Sequence, residues 1–458
     1  MLRIFSAFAP LLICASVGSA AHLDVSASYR MRALSYSNLN LDLNNKNNHS
    51  FISNDARLGV AARKISLERQ GGGESTMDVG LLLHALGVAG STVSLQSPLD
   101  GAANHYPSAD LTPFIENAYL RVNRLFSAPI EGTFGRQTFK LGSGLLLDDD
   151  GAGLTGVSLI GELPWKGLKA GGFIFNDKNP QFGAPNSLDL FGMILAWPTE
   201  GSWELSQLFE RDRSVQTIFG CSFTDPATGL ATTCLVSKAL RSFTSLRYQI
   251  NYGPMMFDGE AVLQRGAATP TGPTPAPNHI TYNGNAQVVR AKWKQPLYKT
   301  GQGIARIWIA RGSGDDPSTK TSDEAFFPSR GHRFNGLERA GLGEFFGATP
   351  YDAYGGNYST SALGGLRQGN SGIIVTGAGY SPPAYKGLGL DVDYFLFQAE
   401  RIRSGSRTLG MEWDVRLRYA IMDNFTLSAT AAIFRAGTAS NATRNTSRKY
   451  AFEVSGRF

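Results

Sequence analysis

Cysteine is scarce in this chain: 458 residues contain only Cys14, Cys221 and Cys234, so no cysteine-rich zinc or iron–sulfur framework is available. Histidine is nearly as rare. The six (His22, His49, His84, His105, His279 and His332) show no metal-ligand spacing such as His-x-x-x-His, and no Ser, His and carboxylate set stands out as a catalytic group. No cofactor, metal or enzymatic activity is therefore expected. Charged residues make up only 17%, with 43 basic against 37 acidic and a net charge of +6, a modest excess that gives no reason to expect a nucleic-acid partner. Long amphipathic helical stretches and alternating helix and strand patterns are also missing, which argues against a nucleotide-binding α/β enzyme. Gly71–Gly73 has no helix after it and cannot act as a phosphate loop. Beyond residue 21 there is no apolar run of the roughly 18 residues that a membrane-spanning helix needs.

What is present begins with an export signal. Arg3, an apolar run from Ile4 to about Ala15 and small residues at Gly18 to Ala21 predict a signal peptide over 1–20, with Cys14 lost on cleavage. The exported domain is 21–458. Its two cysteines, Cys221 and Cys234, lie in one polar stretch, and the compartment favours a loop disulfide between them over a metal or redox site.

Segments of about ten residues alternate between apolar and polar positions throughout, the pattern of a transmembrane β-barrel. From Leu409 to Tyr419 the set Leu409, Met411, Trp413, Val415, Leu417, Tyr419 interleaves with Glu412, Asp414, Arg416 and Arg418. Strand period is two, so one face is wholly apolar and the other charged. The same rule predicts strands near 22–36, 51–67, 75–88, 114–125, 130–142, 153–163, 167–176, 187–197, 202–212, 235–252, 255–266, 280–295, 301–312, 370–381, 385–400, 407–420, 425–437 and 448–458. Eighteen is an even number, as a closed antiparallel barrel with both ends in the periplasm requires. Connections then alternate between short turns, such as Pro164–Lys166 and Ile421–Asn424, and long loops, such as 89–113, 213–234 and 313–369. That asymmetry predicts short periplasmic turns, long external loops and a location in the bacterial outer membrane. A secreted sandwich or propeller is the competing fold, but the repeat of roughly 40–50 residues that a propeller requires is missing. Phe458 closes an apolar strand face (Tyr450, Phe452, Val454) and resembles the terminal signature by which such barrels reach their insertion machinery.

Several motifs resemble the alginate-export family of outer-membrane porins. They are Gly135-Arg136-Gln137 followed by Asp149-Asp150-Gly151-Ala152, then Phe326-Phe327-Pro328 and Gly331-His332, and above all Leu409-Gly410-Met411-Glu412-Trp413-Asp414 leading through Asp423-Asn424-Phe425-Thr426-Leu427 to Phe434-Arg435-Ala436-Gly437. Ala436 stands where the family pattern has proline. The resemblance covers roughly residues 110–458. It implies an eighteen-stranded monomeric barrel that passes anionic or polar small molecules and, in the name-giving case, an acidic polysaccharide.

Strand parity converts the pattern into an expected pore lining: Arg30, Arg32, Arg57, Arg63, Arg136, Lys140, Arg247, Arg290, Lys292, Lys294, Arg416 and Arg418, with Asp24, Asp55, Asp391, Asp393, Glu412 and Asp414 on the same face. Rings of Arg and Lys select anions. The competing reading is a neutral filling in which Arg416 and Arg418 pair with Asp391 and Asp393 on the neighbouring strand. The connection from Ser313 to Gly369 is long enough to fold inward and constrict the pore, or to cap the surface. The function expected is passive diffusion of small polar, anionic solutes or acidic saccharides. The expected partners are outer-membrane lipid and lipopolysaccharide, the insertion machinery and the solute. A plugged barrel that displays its loops or anchors a surface complex is the alternative.

Overall fold

A strand with lipid on one face and a polar interior on the other must alternate at every residue, and a sheet of such strands has no stable edge in hydrocarbon unless it closes. The computed structural model describes residues 21–38, 48–67, 75–90, 111–149, 151–165, 167–177, 188–198, 201–213, 222–224, 231–233, 235–271, 279–297, 301–316, 318–319, 321–329, 342–344, 371–402, 405–439 and 445–458. Among the described residues, eighteen strands form one closed antiparallel barrel. In chain order they are β1 (His22–Ser37), β2 (His49–Ser66), β3 (Thr76–Gly90), β4 (Thr112–Asn123), β5 (Ile130–Gln137), β6 (Leu154–Glu162), β7 (Lys169–Asp177), β8 (Leu188–Pro198), β9 (Gly201–Asp212), β10 (Leu235–Tyr252), β11 (Met255–Thr271), β12 (Asn285–Leu297), β13 (Gly301–Gly312), β14 (Ile373–Ser381), β15 (Leu388–Gln398), β16 (Thr408–Met422), β17 (Phe425–Ala436) and β18 (Thr446–Arg457).

Each strand pairs with its sequence neighbours, and β1 pairs with β18 from Ser28↔Arg457 to Ser37↔Arg448. Phe458 extends that seam: its N–H donates to the Ala27 carbonyl (2.7 Å) and its carbonyl accepts from the Ala27 N–H (2.9 Å). The outer face is apolar. On β16, Trp413, Val415, Leu417 and Tyr419 are exposed, whereas Glu412 and Asp414 are buried inside. Aromatic side chains gather beside the short turns, with Trp203 4.1 Å from Tyr248 and Trp197, Trp293, Tyr385 and Tyr419 exposed, as expected for an interfacial girdle.

Four predicted strands change, the eleventh by running on to Thr271. The fifth ends at Gln137, and Phe139–Asp149 turns into the barrel, where Lys140–Leu141 and Leu147–Asp148 form a small ribbon. The twelfth is broken. Ile280–Tyr282 pairs with Gly266–Ala268 and, in parallel, with Ser322–Asp323 (Thr281↔Ser322, Tyr282↔Asp323); the barrel strand resumes at Asn285, just after Gly284, where the Ala325 and Phe326 backbone comes too close to admit a Cβ. The fourteenth begins at Ile373 rather than near 370. The signal peptide, Cys221 and Cys234 lie outside the described residues; Ser222 and Thr233, which adjoin the two cysteines, are register partners.

Candidate functional site

The interior is shaped by two connections that fold inward from the long-loop end. In the first, the residues after β5 descend along an inner wall that is apolar rather than polar. Phe139 packs 4.8 Å from Phe173 and 4.7 Å from Phe175, and Leu141 and Leu145–Leu147 are buried in the same cluster as Leu190, Leu208 and Phe243. At its tip the Gly142 N–H donates to Glu204 Oε1 (2.6 Å) and the Ser143 N–H to Glu260 Oε2 (3.0 Å), while Arg247 donates to the Gly142 carbonyl (2.8 Å). Gly142 has φ +58°, and a Cβ there would collide with the Glu260 carboxylate. Only glycine lets the backbone come this close.

The second connection, after β13, is held at two points. Near its start the Phe327 N–H donates to Gln264 Oε1 (2.9 Å), and the Phe327 carbonyl accepts from Arg241 (3.0 Å). Arg241 is fully buried and grips Glu210 with two hydrogen bonds of 2.7 and 2.9 Å, which satisfies its charge away from water. Further along, Glu344 crosses to the opposite wall, pairing with Arg416 (2.6 Å) and with the buried Lys449 (2.8 Å). The Glu344 N–H donates to Glu412 Oε1 (2.5 Å). Gly343, at φ +110°, repeats the first loop's device, because a Cβ there would approach Glu412 to 2.8 Å. The inward fold expected as one option for this connection is therefore present at residues 326–329 and 342–344.

Most of the predicted lining residues sit on the inner face in ion-paired groups. Arg30 pairs with Asp55 (2.9 Å), and Arg57 with Glu116 (3.0 Å) and Asp55 (3.8 Å). His84 lies between the same two acids, 2.8 Å from Glu116 and 3.0 Å from Asp55. Arg32 pairs with Glu453 (2.9 Å), and Arg63 with Asp24 near the short-turn end (2.5 Å). Arg247 and Arg290 share Asp258 (2.8 and 3.4 Å). Arg306 joins Asp391 (3.3 Å) and Asp393 (3.0 Å), and Arg418 also reaches Asp391 (2.8 Å). Lys292 and Lys294 are exposed on the inner face of β12 without an ion-pair partner among the described residues. Asp414 is buried beside Glu412.

Two placements differ from expectation. Lys140 is not on the barrel wall: it lies on the infolded ribbon, paired with Asp148 (3.3 Å), because the chain leaves the sheet at Gln137. Arg136 stands on the outward face of β5 with Phe134, opposite Ala118 and Thr155, and hydrogen-bonds Thr155 Oγ1 (3.4 Å) and the Ala152 carbonyl. Gln137 is the inward neighbour, buried and accepting from Ser158 Oγ (2.7 Å). Thr-Phe-Gly-Arg-Gln carries one apolar side chain, Phe134, and its parity decides the face. The neutral-filling pairing is half right: Arg418 meets Asp391, but Arg416 goes to Glu344 and Asp393 to Arg306.

Arg306, Lys449, Asp258 and Glu116 were not singled out in the sequence. Parity could have found the first three, since Ile307, Tyr450 and Phe257 beside them are outward-facing. Glu116 is displaced by the bulge opposite Leu82 and Leu83, and Glu344 sits in a loop without periodicity, so neither carried a signal. Most of the pairs share an orientation in which the arginine is the more exposed member: Arg418 is 54% exposed against 8% for Asp391, and Arg416 23% against 5% for Glu344. The same order holds for Arg30, Arg57, Arg247, Arg290 and Arg306, whereas Arg32–Glu453 and Arg63–Asp24 run the other way.

No family model and no curated protein matches the chain. Solved structures do. Acinetobacter baumannii OccAB1 is 11% identical, with 95% of this chain and 96% of that chain covered at a TM-score of 0.55. Pseudomonas aeruginosa OccK5 (OpdH) is 13% identical over 95% and 98% (TM-score 0.51), and P. aeruginosa OpdK with vanillate is 14% identical over 95% and 98% (TM-score 0.51). At these identities the likeness is one of fold, and together with the apolar outer band and the closed eighteen-strand sheet it identifies the chain as a barrel with the fold of outer-membrane porins.

Proposed function

We propose that the protein is an outer-membrane channel for the passive diffusion of small polar anions, with carboxylates the foremost class. The observation that carries this reading is the orientation of most lumen pairs: at Arg30, Arg57, Arg247, Arg290, Arg306, Arg416 and Arg418 the carboxylate is drawn back into the wall and the guanidinium faces the water. A network of nearly balanced formal charge thus presents a cationic surface, and in a narrow low-dielectric channel that surface attracts anions. Guanidiniums also offer a carboxylate a two-pronged hydrogen-bond fork. The infolded loops narrow the path without adding any chemistry, and catalysis has no role in this reading. The OpdK structure contains vanillate, an aromatic carboxylate, which is consistent in class with the solute proposed. The sequence motifs support an alginate-export-type member, for which acidic saccharides are the larger candidates.

Single-channel recording across a KCl gradient tests the proposal. The wild-type barrel is expected to conduct and to prefer chloride. Arg416→Glu together with Arg418→Glu is expected to lower the chloride-over-potassium permeability on the order of fivefold, the equivalent of ~1 kcal/mol for charges facing water. A folded but silent barrel, or a selectivity indifferent to the double substitution, would overturn it.

A further inference from the structure

The barrel's outer face is not uniformly ridged. Across six neighbouring strands, β3-β2-β1-β18-β17-β16, it carries a shallow apolar cavity of about 710 Å³. Register explains it. Ala33 and Ser35 of β1 and Ala429 and Ala431 of β17 flank β18 on either side, leaving Tyr450 and Phe452 as a central ridge between two strips of small side chains. Both aromatic rings are about half exposed. On β13, by contrast, the outward positions carry the branched Ile307 and Ile309.

Charge stands directly above. Two residues toward the external rim from Tyr450, roughly 7 Å along the strand, Arg448 points outward, and Arg435 points outward four residues beyond Ala431 on β17. Both are exposed, and neither makes an ion pair with a described residue. At the same rim Arg311 pairs with Glu400 (2.8 Å) and Arg213 with Asp189 (2.6 Å), while Arg211 and Arg265, also outward and exposed, stand two residues above the bulky Phe209 and Leu263 rather than above small side chains. An unpaired arginine on the lipid face costs several kcal/mol at mid-bilayer and almost nothing at the interface, so Arg435 and Arg448 mark headgroup height in the outer leaflet.

We infer that this face is a binding site for one phosphorylated, acylated glycolipid of the outer leaflet. Its acyl chains would lie along the small-residue strips beside the Tyr450–Phe452 ridge, and its phosphate would sit between Arg435 and Arg448. The anion complements the only charge offered there, and the apolar floor below matches chains rather than a soluble ligand. The inference depends on the barrel's place in the membrane and not on what passes through its lumen.

The test uses the intact barrel, delipidated in detergent and titrated with lipid A bisphosphate, with binding followed by native mass spectrometry. Dephosphorylated lipid A and phosphatidylglycerol serve as comparators. One lipid A per barrel is expected, with Arg435→Gln plus Arg448→Gln weakening binding roughly ten- to thirtyfold. The Arg→Lys pair should retain it, and Ala431→Trp should weaken lipid A whether or not it carries phosphate. Reversal potential should not move in any of these variants, so a failed channel reading and a failed lipid site are separable. Equal binding by the Gln pair, or by dephosphorylated lipid A, would overturn the site. Phosphatidylglycerol binding as tightly as lipid A would overturn the glycolipid assignment. Should a variant fail to fold, the comparison of the three lipids on the wild-type barrel decides alone.

Discussion

Asp149 shows how a single side chain ties the first infolded loop to pH. Its carboxyl is pushed up to about 6 by burial and by the charges of Asp148 and Glu116, against the pull of the Phe139 and Gly153 N–H groups. Because the folded value lies above the unfolded one, near 3.8, the folded chain keeps a proton that the unfolded chain has already released between those two values. Stability is therefore full below about pH 4, falls as the pH rises to about 6 and is level above that, a loss of up to about 3 kcal/mol. Hydrogen exchange of the Leu145–Leu147 amides, corrected for intrinsic rate, should show stronger protection at pH 5 than at pH 7.5, and Asp149→Asn should flatten the difference. An unchanged profile in the Asn variant would remove Asp149 from this role. Nothing in the sequence singles out Asp149 from Asp148 or Asp150. The contrast arises only when the chain turns inward, setting Asp149 near the Glu116 charge while Asp148 pairs with Lys140.

At the level of elements, the two inward connections use one device twice, a glycine in the left-handed region set against a wall glutamate that accepts backbone N–H groups. Glu260 is the better test because it holds Ser143 through both N–H and Oγ without touching the second loop. Glu260→Gln should loosen the tip of the first loop by about 1.5–3 kcal/mol, the range for hydrogen bonds to a charged group. The readout is roughly tenfold or greater loss of exchange protection at the Ser143 amide, along with noisier channel current, while the barrel's own unfolding midpoint barely changes. Wild-type protection in that variant would mean that the apolar packing of Phe139 and Leu145–Leu147 holds the loop unaided. That packing is why the apolar alternation predicts a longer fifth strand than the barrel contains. Phe139, Leu141, Leu145 and Leu147 continue an apolar pattern, but they serve an inner wall of Phe173, Phe175 and Phe243 rather than lipid.

For the whole molecule, the outward set defines a slab of apolar surface bounded by aromatic residues at the short-turn end. Val415 lies near the middle of β16 and Ile421 at the turn, both outward and exposed. Refolded into lipid vesicles and titrated with urea, Val415→Arg should cost ~2–4 kcal/mol and Ile421→Arg ~0–1 kcal/mol, the depth dependence of a lipid-facing charge. Equal penalties at the two positions would mean that the bilayer does not sit where the apolar band places it.

The linear sequence by itself determined the architecture. Period-two alternation, turn lengths and the even strand number depend on local chemistry and on the two environments each strand must face, so all eighteen strands could be located, including β8 and β11 with their weaker patterns. Alternation also placed Arg30, Arg57, Arg247, Arg290, Arg416 and Arg418 inside. Tertiary structure alone decided what those charges do. Whether Arg416 meets Asp393 or Glu344, whether Arg136 faces in or out, and whether guanidinium or carboxylate meets the lumen water depend on register, bulges and the path of loops. These contacts are long-range, and no period in the sequence encodes them.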